Sequence, residues 1–242
     1  MKTIAVIPAR FDSTRFPGKL MKKLKDKSII LTTYQAAVDS QLFDNVIVAT
    51  DSDVIFDEIA KNGGQAMMTR KDHQTGSDRI AEVIQNMDVD VIVNVQGDEP
   101  FMTKKPLADL IDVFRKDAQK QIAVASLMQR IKAHEDVINP NVVKVIVDKD
   151  NHAMYFSRLP IPYPRNIHSG ASYYRHIGVY AFRKDALLDF SKNKMLPNEA
   201  TEMVEAIRYL EYGQKIKMVE SDYAGIGIDT PEDLEKAARM VL

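Results

Sequence analysis

A loop with three cationic side chains follows the first apolar segment of the chain. Arg10, Arg15 and Lys19 lie close together in it, and Gly18 gives the backbone beside Lys19 additional freedom. Cations and backbone N–H groups at the end of a strand suit a triphosphate, although the Walker pattern GxxxxGK[ST] is absent. Taken alone, the segment is explained equally well as a solvated loop with scattered charges.

Two acidic residues follow glycine-containing segments elsewhere in the chain. Asp98 comes directly after the apolar run that ends near Val95, and Asp229 comes just before a helix that is capped by Thr230 and has Pro231 at its first position. Carboxylates at such positions can hold Mg²⁺ beside phosphate oxygens. A turn explains Asp98 and an extended helix cap explains Asp229, so a shared metal site requires the fold to bring them together.

A third polar segment, His73–Arg79, opens a helix in the same part of the chain. Its backbone N–H groups and side-chain amides can contact the edge of a nucleotide base. An ordinary helix cap is the simpler interpretation of this segment on its own.

The last group of polar side chains lies beyond residue 150. Arg158 ends a strand of aromatic character and can pair bidentately with a carboxylate. His176 and Tyr180 are four positions apart, so they face the same way on a strand. Three glutamates recur at every third position of a predicted helix, where a solvated face with pairing to Arg208 is the alternative interpretation: Glu199, Glu202 and Glu205.

These residues are positioned by two different arrangements of secondary structure. Up to about residue 120, β-branched apolar runs at 3–7, 45–49, 65–68 and 90–95 alternate with helices at 29–38, 53–61, 77–86 and 106–116, the third capped by Ser77. That alternation predicts a mostly parallel α/β sheet with helices on both faces and ligands at the carboxyl ends of its strands. Strands then predominate at 122–129, 142–148, 152–158 and 176–183, before a helix at 198–212 capped by Asn198.

The simplest organisation is a single domain over 1–242. It comprises a nucleotide-binding half at about 1–120 and a smaller, more antiparallel sugar-binding and dimerisation lobe at about 121–215.

Composition excludes several classes of function. The 33 Lys and Arg residues nearly balance 34 Asp and Glu, which argues against nucleic acid or an anionic membrane as a partner. Cysteine is absent, so disulfides, thiolate metal sites and cysteine nucleophiles are excluded. We expect a soluble cytoplasmic protein without membrane insertion, because Pro8 and Arg10 interrupt the first apolar run too early for a signal peptide.

Together, these segments resemble the CMP-Kdo synthetases, the 3-deoxy-manno-octulosonate cytidylyltransferases. The resemblance covers nearly the whole chain in the family's order, through IPARFDSTRFPGK, VATD, MTRKDHQTGSDR, VNVQGDEP, NPNVVKV, YFSR followed by IPY, YRHIGVY and IDTPEDLE. It implies a glycosyltransferase-A-like nucleotide-binding fold and a homodimer.

The resemblance also implies roles for individual residues. Arg10, Arg15 and Lys19 would bind the phosphates of CTP, and Asp98 and Asp229 would hold Mg²⁺, so catalysis would fall to Arg15, Lys19, Asp98 and Asp229. The cytidine would be surrounded by Gln74, Gly76, Ser77 and Arg79. The octulosonic acid would be bound by Gln96, Arg158, His176, Tyr180 and Glu205.

Three departures from the family pattern fall in the sugar-binding lobe. Ala206 replaces a glutamine, Tyr163 replaces a common Trp, and the stretch 166–173 is short. The expected reaction is transfer of CMP from CTP to the anomeric hydroxyl of Kdo for lipopolysaccharide or capsule synthesis. The alternatives are 8-amino-Kdo or sialic acid as the acceptor, and a nucleotide-sensing module without catalysis.

Overall fold

A nine-stranded mixed sheet with helices on its faces organises the chain. The structure is a computed structural model that describes residues 1–12, 16–166, 168, 170–223, 225 and 227–240. Its strands are β1 (Thr3–Ala9), β2 (Lys23–Leu24), β3 (Lys27–Ser28), β4 (Asn45–Thr50), β5 (Ala66–Met68), β6 (Val91–Asn94), β7 (Val124–Arg130), β8 (Lys144–Val147), β9 (Ala153–Ser157), β10 (Tyr174–Arg183) and β11 (Ile216–Glu220). Its helices are α1 (Ile29–Asp39), α2 (Asp53–Lys61), α3 (Gly76–Ile84), α4 (Lys104–Lys116), α5 (His134–Ile138), α6 (Lys184–Lys192), α7 (Pro197–Glu202), α8 (Ala206–Glu211) and α9 (Pro231–Met240).

The sheet has a parallel region and an antiparallel region joined at β6. Its strand order is β11-β7-β10-β6-β1-β4-β5, and β8 pairs with β10 and β9 beside this path. Strands β6, β1, β4 and β5 are parallel, whereas β10 runs antiparallel to β6, β7 and β8. The predicted α/β class, with a mostly parallel sheet and a more antiparallel part, is confirmed.

Burial on both faces explains why β1 is uniformly apolar. Ala5 and Ile7 contribute to the apolar cluster on one face of the sheet, while Ile4 and Val6 contribute to the cluster on the other. Successive side chains of a strand point to opposite faces, so a central strand covered by helices needs apolar residues at every position. The carboxyl ends of β1, β4 and β6 consequently lie side by side, and their following loops converge.

The start of α3 differs from the prediction by two residues. Thr75, not Ser77, is the N-cap: its hydroxyl accepts from the N–H of Asp78, and the Asp78 carboxylate accepts from the N–H of Thr75. The reciprocal pair satisfies two backbone donors at once, which explains the earlier start. The hydroxyl of Ser77 does not cap the helix and instead forms a hydrogen bond outside it, described below.

The single helix predicted at 198–212 is wrong. The chain forms α7 and α8, separated at Met203, whose φ of 51° and ψ of 47° are left-handed. Asn198 does not cap α7 but lies inside it, and its N–H donates to the carboxylate of Glu211, 3.1 Å away on α8. Pro197 occupies the first helical position, where its missing N–H costs nothing.

Candidate active site

Lys19 lies between two carboxylates that come from opposite ends of the sequence. Its Nζ is 2.5 Å from Oδ2 of Asp98, in the loop after β6, and 2.8 Å from Oδ1 of Asp229, just before α9. Gly18, with a φ of 64°, adopts the left-handed backbone that starts the short turn carrying Lys19. Burial lowers the pKa of Lys19, but the two carboxylates outweigh it and raise that pKa above its usual value. Lys19 is therefore a cationic ammonium at neutral pH, and it lies between two carboxylates.

Arg10 extends from the end of β1 toward the segment that opens α3. Its guanidinium donates a hydrogen bond to the backbone carbonyl of His73. Burial and the nearby charge of Arg79 lower the pKa of Arg10. The sequence-predicted phosphate residues Arg10 and Lys19 thus lie on the same loop, whereas the third, Arg15, falls outside the described residues.

The predicted cytidine-binding residues occupy the first turn of α3 and the loop before it. Gln74 is exposed, and Gly76 lies so close to β1 that a Cβ atom would come within 3.2 Å of the Pro8 ring. Arg79 is fully buried, where its Nη2 donates to the carboxylate of Asp51 at 2.6 Å. This ion pair therefore attaches the first turn of α3 to Asp51. Removal of either partner would leave the other as an uncompensated buried charge.

Ser77 connects this turn to the antiparallel lobe. Its hydroxyl donates a 2.5 Å hydrogen bond to Oε1 of Glu205, at the start of α8. Burial raises the pKa of Glu205, and the hydrogen bond from Ser77 opposes that rise. A residue predicted to bind the cytidine and a residue predicted to bind the sugar acid are thus in direct contact.

A cavity of about 360 Å³ adjoins the Lys19 cluster. Glu99, the neighbour of Asp98, and Gly227, two residues before Asp229, both line it. The cavity also brings together four side chains predicted to bind the sugar acid: Arg158, His176, Tyr180 and Glu205.

His176 forms part of an aromatic wall in this cavity. Its ring centroid lies 4.9 Å from that of Phe156 and 5.3 Å from that of Tyr180, and its Nε2 lies 3.0 Å from the hydroxyl oxygen of Ser126. Burial lowers the pKa of His176 to about 4, because the charged imidazolium would lose its hydration. At neutral pH it is a neutral hydrogen-bonding side chain.

Arg158 lines the cavity but uses its guanidinium to hold the backbone. Its Nε donates to the carbonyl of Glu202 at 2.6 Å, its Nη1 to that of Pro140 at 2.9 Å, and its Nη2 to that of Met203 at 3.4 Å. These bonds stabilise the break between α7 and α8, which leaves carbonyls without helical partners.

The three glutamates predicted on one helical face have three different surroundings. Glu199 is buried in a bidentate pair with Arg208, with both N–O distances 2.6 Å. Glu202 accepts from the hydroxyl of Ser157 and from the N–H of Arg158, so it does not form a solvated face. Only Glu205 lines the cavity. The helix break at Met203 separates their orientations.

Gln96 follows β6 between the two regions. Its Nε2 lies 3.4 Å from Oδ1 of Asn94, a fully buried side chain, and Gln96 is not among the residues that line the cavity. Two of the departures from the family pattern have different surroundings: Ala206, the first residue of α8, is fully buried in the core, and Tyr163 is 84% exposed. Neither residue is among those that line the cavity.

Four polar residues that line the cavity were not predicted to bind the substrate: Glu99, Asn141, Arg175 and Tyr223. The hydroxyl of Tyr223 donates to Oε2 of Glu99 at 2.8 Å, and Arg175 lies beside them. Burial, reinforced by the charge of Asp98, raises the pKa of Glu99 to about 7. Glu99 and Arg175 adjoin predicted residues in sequence, which is a usable signal, whereas nothing in the sequence singles out Tyr223.

No helix within the described part of the chain is long and apolar enough to cross a membrane.

The fold and this site are those of a nucleotidyltransferase. The family model for cytidylyltransferases matches residues 4–216. The chain is 58% identical to a 3-deoxy-manno-octulosonate cytidylyltransferase of Flavobacterium johnsoniae, over 100% of this chain and 99% of that protein. It is 56% identical to one of Christiangramia forsetii, over 99% and 97% of the two chains.

A solved structure supports the same relationship. The structure of a CMP:2-keto-3-deoxy-manno-octonic acid synthetase in complex with CTP superposes with a TM-score of 0.94 at 38% identity, covering 100% of this chain and 98% of that one. The chain belongs to the 3-deoxy-manno-octulosonate cytidylyltransferase family.

Proposed function

We propose that this protein transfers CMP from CTP to the anomeric hydroxyl of 3-deoxy-manno-octulosonate (Kdo) and releases pyrophosphate. We also propose that the reaction takes place in the cytoplasm, where CTP is available. The observation that carries the proposal is the position of Lys19 between Asp98 and Asp229, whose sequence neighbours line a cavity that also contains Arg158 and His176. An ammonium for phosphate and a separate polar cavity for a sugar acid are what such a transfer requires.

In this reaction the anomeric oxygen forms a bond to the α-phosphorus of CTP, and the bond from that phosphorus to the bridging oxygen of the β-phosphate breaks. The proton of the hydroxyl passes to solvent water, and the departing pyrophosphate carries the electron pair of the broken bond. Catalysis of this kind depends on alignment and charge stabilisation, not on a covalent intermediate with the protein. Lys19, with its raised pKa, remains cationic to stabilise the charge that accumulates on pyrophosphate.

The acidic pair fits a bound Mg²⁺. Asp98 and Asp229 both lie beside the ammonium of Lys19, which can neutralise only one of their two negative charges. Within the described part of the chain, no group of three or more Asp, Glu, His or Cys side chains is placed to hold a metal ion, so Mg²⁺ here would have to complete its shell with water and phosphate. Bound there, Mg²⁺ would supply charge neutralisation and lower the pKa of the attacking hydroxyl.

For the nucleotide, the proposal assigns the triphosphate to Arg10, Arg15 and Lys19 and the cytidine to the turn around α3. The N-terminal turn of α3 has backbone N–H groups close in sequence to the exposed Gln74. Ser77 belongs to the same turn and is buried. Arg79 would act on the base indirectly, by keeping this turn in place through Asp51.

For the sugar acid, the proposal assigns the cavity. His176 and Tyr180 would contact hydroxyl groups, since both offer a neutral hydrogen-bonding atom at neutral pH. Gln96 and Glu205 would add polar contacts on the side nearest the nucleotide. The chain would thus divide into a nucleotide-binding half at about 1–120 and a sugar-binding lobe at about 121–215.

We also propose a homodimer formed through the sugar-binding lobe. Four large apolar residues of this lobe are more than 60% exposed: Met154, Leu159, Tyr163 and Met203. Exposed apolar groups in one region favour association with another protein surface. Light scattering at micromolar concentration tests this directly, and a strictly monomeric mass would contradict it.

Pyrophosphate release tests the proposed reaction. The protein should release pyrophosphate from CTP with Mg²⁺ only when an ulosonic acid is added, and Kdo should be a better acceptor than sialic acid. Including 8-amino-Kdo in the panel resolves which octulosonate is preferred. Preference for sialic acid, or no release with either octulosonate, would contradict the proposal, and tight CTP binding without release would favour a nucleotide-sensing module.

A further inference from the structure

Two arginines line the cavity, and their guanidinium groups are used differently. A carboxylate binds an arginine most specifically through two parallel N–H donors, such as those of Nε and Nη2 on one edge of the guanidinium. In Arg158 both of these atoms already donate to backbone carbonyls, those of Glu202 and Met203. This edge of Arg158 is therefore engaged by the protein itself.

The same edge of Arg175 is only partly engaged, because one of its two donors has no partner among the described residues. Its Nε is buried and has no hydrogen-bond partner among the residues that the structure describes. Its Nη2 lies 3.5 Å from the carbonyl of Tyr223, at the limit of a hydrogen bond. A buried, unsatisfied donor is costly to a folded protein, so its presence in a cavity indicates a ligand that completes it.

The charges around Arg175 leave it available to a ligand. Glu99, which lines the same cavity, accepts a hydrogen bond from the hydroxyl of Tyr223, and no hydrogen bond joins Glu99 to Arg175 among the described residues. Strand β10 fixes the arginine at the cavity wall, next to His176, which contributes no charge of its own at neutral pH.

We propose that Arg175 binds the carboxylate of the sugar-acid substrate through its Nε and Nη2 edge, and that Arg158 instead maintains the turn between α7 and α8. The proposal rests on the proposed function, because it assigns one group of that substrate to one side chain. The carboxylate adjoins the reacting carbon of an ulosonic acid, so anchoring it orients the anomeric hydroxyl toward CTP.

The test compares Kdo with its uncharged C1 amide in wild type, Arg175→Gln, Arg158→Gln and the matched surface control Arg130→Gln. Pyrophosphate release gives kcat/KM for each pair, calorimetry gives the Kd for CTP, and thermal unfolding gives stability. With Kdo, Arg175→Gln should lower kcat/KM by about 10–100-fold, the range expected for lost hydrogen bonds to a charged group. With the amide, the loss should shrink to about threefold or less, while CTP affinity and Tm stay near wild type.

Arg158→Gln should lower Tm and reduce activity on the acid and the amide alike, and Arg130→Gln should change neither. Arg175→Lys, which keeps the charge without the paired donors, should recover only part of the activity on Kdo. Equal losses on acid and amide in Arg175→Gln, or an acid-specific loss in Arg158→Gln, would overturn the assignment while the proposed function stands. A wild-type protein inactive on Kdo would overturn both.

Discussion

The hydroxyl of Ser77 and the carboxylate of Glu205 form a 2.5 Å hydrogen bond between two parts of the chain that are 128 residues apart. Ser77 belongs to the turn proposed for cytidine, and Glu205 to the cavity proposed for the sugar acid. Both side chains lie in poorly hydrated surroundings, since Ser77 is fully buried and burial raises the pKa of Glu205. The bond therefore fixes the position of one substrate site relative to the other.

Removal of this hydrogen bond should destabilise the protein. Ser77→Ala removes a hydroxyl that donates to the carboxylate of Glu205, so we expect a loss of about 1–3 kcal/mol in the free energy of unfolding. Urea denaturation measures it, and the double variant with Glu205→Gln should show a coupling of about 0.5 kcal/mol or more. Strictly additive effects would mean that the bond contributes nothing beyond its separate groups.

The buried imidazole of His176 predicts a pH dependence of stability. Its pKa is about 4 in the folded protein and 6.5 when exposed, so below pH 6.5 the unfolded chain binds a proton that the folded protein does not. Stability from this group is complete above pH 6.5 and decreases as pH falls toward 4, with about 2 kcal/mol lost between pH 7 and pH 5.

The measurement compares this loss in wild type and His176→Gln, because other groups titrate over the same interval. Urea unfolding at pH 7, 6 and 5 should give a shallower pH dependence in the variant. Parallel curves for the two proteins would show that His176 does not remain neutral on folding.

The bounds of the nucleotide-binding elements could be predicted from sequence because their signals are local. Apolar runs and nearby breakers predict α2 at 53–61, as observed, and place β4 within one residue. The break between α7 and α8 has no such signal. It depends on Arg158 and Ser157, which lie more than 40 residues away and bind the backbone and side chain of Glu202.

The candidate site shows the same limit more strongly. Lys19, Asp98 and Asp229 are 79 and 210 positions apart, and a turn or a helix cap explains either acid locally. Only the joint resemblance of many motifs to one family assigns them to one site. The unpaired Nε of Arg175 could not be predicted from the sequence. It depends on the folded backbone, whose carbonyls accept hydrogen bonds from the corresponding atoms of Arg158.

The turn around α3 predicts a preference for cytosine. A site that satisfies an exocyclic amino group leaves an acceptor unpaired when uracil presents a carbonyl instead. We expect kcat/KM for CTP to exceed that for UTP by about 100-fold, measured as pyrophosphate release at saturating Kdo. Equal use of the two nucleotides would contradict a base-reading role for this turn.

Asp98 offers the sharpest test of the catalytic cluster. Asp98→Asn keeps the shape of the side chain but removes one of the two carboxylates that surround Lys19, so turnover should fall by about 10²–10³-fold with little change in Tm. Asp229→Asn should act similarly, and the fully exposed Asp88→Asn provides a matched control that should leave turnover unchanged. The concentration of Mg²⁺ needed for half-maximal activity should rise in both cluster variants. Near-normal turnover of Asp98→Asn at saturating Mg²⁺ would remove this carboxylate from the mechanism, whatever the effect of Asp229→Asn.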